Sequence, residues 1–344
     1  MPAEPASVVC PPPAHEEAGT GGDLLHHTDD RSPLPRPDWL DRSLRDGVAA
    51  CTSYPDPTVA QRAVARRHDR RTEDVLVTAG ATEASFLLAR ARPWQRPVVV
   101  HPQLTTPDVA LRAAGRTSIH VLCRPGNGFA LEPDSIPADA DLVVIGNPAD
   151  PTGRLHPAAT IRALCRPGRV VVVDESFMDF VPGQPDGLAG HRVTGLLVIR
   201  TLAKLWSMPG IPAGYVIGDP AVLADLRAQQ PPWSVSTPAL HAIAATAGPE
   251  AAREAVRRAR RTEQHRRILV DGLSELGVEV TASSAPFVLA RLGSAARILR
   301  GQGIAVRRVD TVPGLDDTWI RITVPEPPVT RHLIAALGVH TAWR

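Results

Sequence analysis

The sequence predicts an α/β fold: a large domain built on a mostly parallel sheet, followed by a smaller α+β domain. Three observations predict it. Short apolar runs recur at Val75–Val77, Val98–Val100, Ile119–Leu122, Leu142–Ile145, Val170–Val173, Leu196–Ile199 and Tyr215–Ile217. Strands apolar on both faces are what a parallel sheet covered by helices requires. Helical spacing near residues 82–91, 107–114 and 157–165 alternates with them, as crossover connections demand. Finally, an Arg- and Ala-rich helical region from Pro249 to Leu276 leads into further strands near Val278–Thr281, Phe287–Leu292, Ala305–Val309 and Trp319–Val324.

Composition bounds the function. With 43% apolar and 22% charged residues over 344 positions, the chain is an ordinary globular protein. A net charge of +2, with arginines and carboxylates interspersed, argues against nucleic-acid binding. The densest basic stretch, Arg257-Arg258 with Arg260-Arg261, reads as a solvated helix face. Cys10, Cys51, Cys123 and Cys165 form no C-x-x-C pair, so neither a zinc site nor a disulfide framework is expected. No apolar run is long enough to cross a bilayer and no signal peptide is legible, so the expected location is cytoplasmic, with no membrane partner.

Taken in order, residues 1–22, with Pro11-Pro12-Pro13 and Gly21-Gly22, read as a mobile tail. His15-Glu16-Glu17 lacks the second histidine of a zincin helix, and His26-His27-Thr28-Asp29-Asp30 reads as a polar lead-in more readily than as a ligand set, so no metal is expected. Residues 23–50 form an N-terminal segment expected to pack on the small domain, and Asp38 can cap a helix running to Ala50. The large domain is expected over 51–245 and the small one over 246–344. At its start, Ser53-Tyr54-Pro55-Asp56-Pro57 is a turn presenting an aromatic hydroxyl, and Val59–His68 is an amphipathic helix. The strand at Val75–Val77 runs into Gly80-Ala81-Thr82-Glu83, a glycine turn and helix start of the kind that presents backbone N–H groups to an anion.

Three strand ends carry chemistry. Leu142–Gly146 runs into the rigid turn Asn147-Pro148-Ala149-Asp150-Pro151-Thr152-Gly153, and Val170–Val173 into Asp174-Glu175-Ser176-Phe177. Beyond Leu196–Ile199 come Thr201 and Lys204, the single lysine; the other 37 of the 38 basic residues are arginine. Guanidinium stays protonated, whereas a primary amine can be neutralised and attack a carbonyl carbon. In open α/β sheets ligands bind beyond the carboxyl ends of the strands. A carboxylate and an amine at such ends suit a pyridinium partner and an imine-forming lysine.

These motifs, in this order, together with Trp319-Ile320-Arg321-Ile322-Thr323, resemble the fold-type I pyridoxal-phosphate enzymes, aminotransferase class I/II. Within them the chain is most similar to the histidinol-phosphate aminotransferase and threonine-phosphate decarboxylase branch, over nearly everything after residue 25. The resemblance implies a seven-stranded, mostly parallel sheet in a homodimer, with pyridoxal 5'-phosphate as cofactor and a small amino acid or amino-phosphate as substrate. It implies that Lys204 joins the cofactor as an aldimine and later moves the α-proton, and that Asp174 keeps the ring nitrogen protonated. Gly80, Ala81, Thr82 and Thr201 would hold the phosphate, and Tyr54 would reach the phosphate of the partner subunit. Leu104, Asn147, Asp150 and Phe177 would surround the ring, and Arg321 would take an anionic group of the substrate.

Several positions depart from the family pattern. Pro212 stands where a phosphate-clamping Arg is usual, Ala203 replaces a Ser, Asp150 an Asn, Phe177 a Tyr, and Leu104 the stacking aromatic. They motivate a second expectation: a repurposed scaffold with weak or no pyridoxal phosphate binding, its cleft serving another ligand, different chemistry or a partner.

Overall fold

The computed structural model describes residues 25–27, 32–293 and 295–339. The tail expected over residues 1–22, and the lead-in stretch beyond His27, lie outside the described residues. In chain order the elements are β1 (Leu25–His27), α1 (Asp38–Ala49), α2 (Thr58–Arg67), β2 (Val75–Thr78), α3 (Gly80–Ala91), β3 (Pro97–His101), α4 (Thr106–Ala113), β4 (Ile119–Leu122), β5 (Leu142–Gly146), α5 (Ala158–Arg162), β6 (Val170–Asp174), β7 (Leu196–Thr201) and β8 (Gly214–Gly218). They continue with α6 (Pro220–Gln229), α7 (Thr237–Thr246), α8 (Pro249–Glu275), β9 (Glu279–Val280), β10 (Phe287–Arg291), α9 (Ala295–Gly301), β11 (Ile304–Arg308), β12 (Trp319–Thr323) and α10 (Pro327–Val339).

Seven strands form the large sheet in the order β2-β8-β7-β6-β5-β3-β4. All neighbours from β7 to β4 pair in parallel, and only β8 runs antiparallel to both β7 and β2. The reversal has a plain cause: only residues 202–213 separate β7 from β8, with no helix between to carry a parallel crossover. Val171, Val173 and Val198 face one core, while Val172, Leu197 and Ile199 face another that includes α3 and α6. Valine-rich strands covered on both sides explain the near-continuous apolar runs of the sequence.

The second sheet has the order β1-β11-β12-β10-β9, with β1 parallel to β11 and the other pairs antiparallel. Its core gathers Leu269 and Leu273 of α8 with Ile320, Ile322 and Leu333.

Some local expectations change. Helix α1 has Pro37, in extended backbone, at its N-cap, so Asp38 lies inside the first turn. There its charge still favours the positive end of the helix. Helices α6 and α7 were not legible, because stretches such as Thr237–Thr246 are apolar nearly all round; α7 is packed against both α1 and α2.

Two buried histidines make stability depend on pH. His68 lies 2.9 Å from Tyr215 Oη, and burial, aided by the charges of Arg200 and Arg67, pushes its pKa down to about 3. Burial, then Arg154, lowers His156 to about 4. Both are neutral when folded and protonate near about 6.5 when unfolded, so the unfolded chain binds more protons in between. The stabilisation is present above pH 6.5 and is lost as pH falls toward 4 and 3. Thermal midpoints measured against pH should drop through that window, and His68→Gln should flatten the drop; identical curves would contradict it.

Candidate active site

The strand period of two sorts the groups at the carboxyl ends of β6 and β7 onto opposite faces. Asp174 follows Val172 onto the α3 side and shares a small cavity there with Ser85, Leu111, Val144 and Ile199. Glu175 and Arg200 follow Val173 and Val198 to the opposite side, where they meet at 2.6 Å with side chains 0% and 3% exposed. Strand pairing sets Asp174 beside Ile199, and Glu175 N–H donates to the Ile199 carbonyl at 2.9 Å.

Asp174 is partly open to the surface but has protein on most sides, and burial raises its pKa. The N–H of Ser176 (2.9 Å), the Ser176 hydroxyl and the Lys204 charge oppose that rise. Lys204 is half-buried, with Nζ 5.5 Å from the centre of the Phe177 ring, and Phe177 itself is buried. The Lys204 ammonium is thus near enough for its charge to act on the Asp174 carboxylate.

The loop that carries Lys204 is strapped down from two sides. The Lys204 carbonyl accepts from Ser32 N–H at 2.9 Å, and Ser207, at φ 52°, donates its hydroxyl to the carbonyls of Ser32 (2.7 Å) and Leu34 (3.1 Å). From α8, Arg258 donates to the Pro35 carbonyl at 2.6 Å and lies over Trp206 at 5.6 Å. Sequence reasoning missed these residues and the Glu175–Arg200 pair. Only the presence of charges inside or next to apolar runs signalled them.

Gly80 opens α3 at φ +77°, a conformation that favours glycine, and a Cβ there would meet Pro212 at 3.9 Å. Pro212 therefore does face the helix start, as an apolar ring. Ala81 is half-buried and Thr82 exposed; as first-turn residues their N–H groups lack intrahelical acceptors. The Glu83 carboxylate takes the Ala79 N–H at 2.5 Å, and Thr201 Oγ1 accepts from Ala203 N–H at 3.3 Å.

On the other side, Arg321 and Asp150 meet: Nη1 is 3.0 and 2.9 Å from the two carboxylate oxygens, with side chains 0% and 2% exposed. Arg307 lies 3.8 Å from the same carboxylate, and the Arg321 guanidinium is 4.8 Å from the Phe287 ring. Asn147 is buried, accepting from His156 N–H at 2.7 Å and donating to its carbonyl at 3.2 Å, so its amide shapes the turn. Leu104 is half-buried beyond β3. Tyr54 stands apart: it is 76% exposed and stacks at 4.4 Å on Trp233, itself exposed and at φ 58°.

The donor set fits pyridoxal phosphate at two ends. A half-buried amine suits the aldehyde and a carboxylate with raised proton affinity suits the ring nitrogen. At the phosphate end the protein offers the α3 N-terminus and the Thr201 hydroxyl rather than a guanidinium at 212.

Comparison with known proteins bears on this arrangement. The family model for aminotransferase class I and II matches residues 31–337. A histidinol-phosphate aminotransferase of Mycobacterium tuberculosis is 44% identical over 309 residues, 88% of this chain and 83% of that protein. The threonine-phosphate decarboxylase of Salmonella typhimurium is 28% identical over 335 residues, covering 91% and 90%. Among solved structures, the histidinol-phosphate aminotransferase from Clostridium acetobutylicum superposes with a TM-score of 0.84 at 22% identity, over 92% of this chain and 99% of that one. A Thermus thermophilus aspartate aminotransferase mutant gives 0.83 at 24% identity, over 92% and 96%. The fold is that of the fold-type I aminotransferases.

Breaking a buried ion pair from one side leaves an uncompensated charge. Asp150→Ala should therefore cost about 3–5 kcal/mol in denaturant unfolding. A loss as small as that of an exposed pair, about 1 kcal/mol, would refute the burial of Arg321's charge.

Proposed function

The chain belongs to the aminotransferase class I and II family, and from that premise we propose that it is a pyridoxal-phosphate-dependent aminotransferase acting on a small amino acid or amino-phosphate at Lys204. The carrying observation is that the sole lysine, in the loop beyond β7, exerts its charge on Asp174 at the end of the neighbouring strand β6. Family members use pyridoxal phosphate, and the chain is an enzyme of that family.

When bound, pyridoxal phosphate supplies an aldehyde carbon for an amine and a protonated ring that draws electrons from bonds at the substrate's α-carbon. Lys204 Nζ is the covalent anchor and, once released, the base that moves the α-proton. The amine is half-buried, with Nζ 5.5 Å from the centre of the Phe177 ring. Asp174, whose proton affinity is raised by burial, would keep the ring nitrogen protonated. The first-turn N–H groups of α3 from Gly80 to Thr82, with Thr201, hold the phosphate at the positive end of a helix. Leu104 and Phe177 are the apolar side chains that would line the ring.

Arg321 receives the anionic group of the substrate. Asp150 orients it through Nη1 and offsets its charge, while Arg307 brings a second cation close by. A guanidinium suits the carboxylate or phosphate of such a substrate. The likeness to a threonine-phosphate decarboxylase supports decarboxylation as a second reading, since which α-carbon bond breaks depends on substrate orientation. Analysis of the carbon dioxide and keto products separates the two.

Tyr54 acts across a homodimer. Its hydroxyl points outward in one chain, and its stacking on Trp233 presents two aromatic rings to a second subunit.

Addition of pyridoxal phosphate to the purified protein should produce visible absorption that Lys204→Ala lacks, and borohydride should label the peptide containing residue 204. Labelling elsewhere would sink the assignment. Mixing inactive Lys204→Ala and Tyr54→Ala chains should restore part of the activity if the tyrosine serves the partner subunit's site. No recovery in mixed dimers would place it in cis.

A further inference from the structure

At the far edge of the large sheet, three side chains that the lysine site does not use converge on one point. His101 ends β3, His120 lies in the edge strand β4 paired with it, and Asp108 sits in the first turn of α4, the helix that joins them. His101 Nε2 is 3.0 Å from Asp108 Oδ2 and His120 Nε2 is 3.0 Å from Oδ1, with ligand-capable atoms of all three within 4.8 Å of one another. His101 and Asp108 are buried, whereas His120 is 40% exposed, so the cluster is rigid behind and open to water in front. The imidazole rings lie 4.5 Å apart. His101 Nδ1 is buried with no hydrogen-bond partner among the described residues, so its ring is held through Nε2 alone.

Two imidazoles from neighbouring strands turn the same nitrogen onto one carboxylate. Two nitrogens and one oxygen are a borderline donor set that suits zinc-class divalent ions and not magnesium or calcium, which take oxygen. A tetrahedral ion with bonds of about 2.0–2.2 Å places its ligand atoms roughly 3.3–3.6 Å apart, a few tenths of an ångström wider than the two 3.0 Å contacts and inside the 4.8 Å that encloses all three atoms. The Ser118 hydroxyl also touches the cluster, donating to Asp108 Oδ1 at 2.5 Å and lying 3.5 Å from His120 Nε2, and the 40% exposure of His120 gives water access as a fourth ligand.

The geometry points to a binding site for a divalent transition-metal ion of the zinc class, formed by His101, Asp108 and His120 with water completing the shell. Ligands at positions 101, 108 and 120 match no sequence motif, which is why the site emerges only when β3, α4 and β4 pack. The ion would brace β3 to β4 directly before Pro102, Gln103 and Leu104, and Gln103 already donates to the Val144 carbonyl at 3.0 Å. It is thus a structural brace beside the active site, independent of the chemistry assigned to Lys204.

The test is calorimetric titration of the chelator-treated, cofactor-loaded protein with zinc chloride, alongside His120→Ala and Cys51→Ser. His120→Ala removes a solvent-exposed side chain and keeps the fold; Cys51→Ser removes the exposed thiol. The expected result is one zinc ion per chain, weakened at least about 10-fold in His120→Ala and unchanged in Cys51→Ser. Zinc should also raise the thermal midpoint of the unaltered protein and not that of His120→Ala. No saturable binding, or the same isotherm in His120→Ala, overturns the proposal, as does a loss confined to Cys51→Ser.

Discussion

The buried ion pair between Glu175 and Arg200 is the interaction on which the active site depends. Arg200 contacts Glu175 at 2.6 Å and Asp179 at 3.0 Å, and Asp179 in turn holds Arg67 at 3.0 Å. Burial alone would favour a neutral Arg200, but the two carboxylates more than offset it and raise its affinity for its proton. Asp179 is held below its ordinary range by Arg67 and Arg200 against the opposing effect of burial. A charged network in a protein interior is weak as a source of net stability but intolerant of losing one member. It therefore locks the ends of β6 and β7 in register from one face. Asp174 and Thr201 occupy the other face, and their separation is inherited from that lock.

The same logic extends to the loop beyond β7. The loop of Lys204 is held by two distant parts of the chain, Ser32 to Pro35 near the start and Arg258 on α8, with Ser207 of the loop itself donating to the first. Each contact is an ordinary hydrogen bond worth about 1 kcal/mol net. Together they restrict a flexible primary amine to one neighbourhood, which is what proton transfer and covalent bonding require. The non-glycine residue in left-handed backbone at Ser207 fits a segment whose geometry is set by its surroundings.

The departures from the family pattern take on physical meaning once their neighbours are known. Asp150 is the carboxylate partner of Arg321, so the two positions have to be considered as a unit. Phe177 is a buried ring beneath the lysine, T-shaped against Phe287 at 5.0 Å, where a hydroxyl would need a partner. Pro212 lies against Gly80 and closes that side of the helix start without charge. In the proposed reading, the phosphate at this end would be held by backbone N–H groups more than by side chains.

What the sequence determined by itself is what depends on local pattern. Apolar runs of strand length, helical spacing between them, a glycine before a helix and a solitary lysine beyond a strand all follow from residue type and near neighbours. They sufficed to predict the sheet, the strand ends that carry Asp174 and Lys204, and the family likeness. Tertiary structure alone decided the antiparallel turn of β8, the pairing of Arg321 with Asp150 across 171 positions, the straps on the lysine loop and the convergence of His101, Asp108 and His120. The physical reason is the same in each case: electrostatic and hydrogen-bond partners are chosen by distance in space, and one sequence read alone contains no term for a contact between residues far apart along the chain.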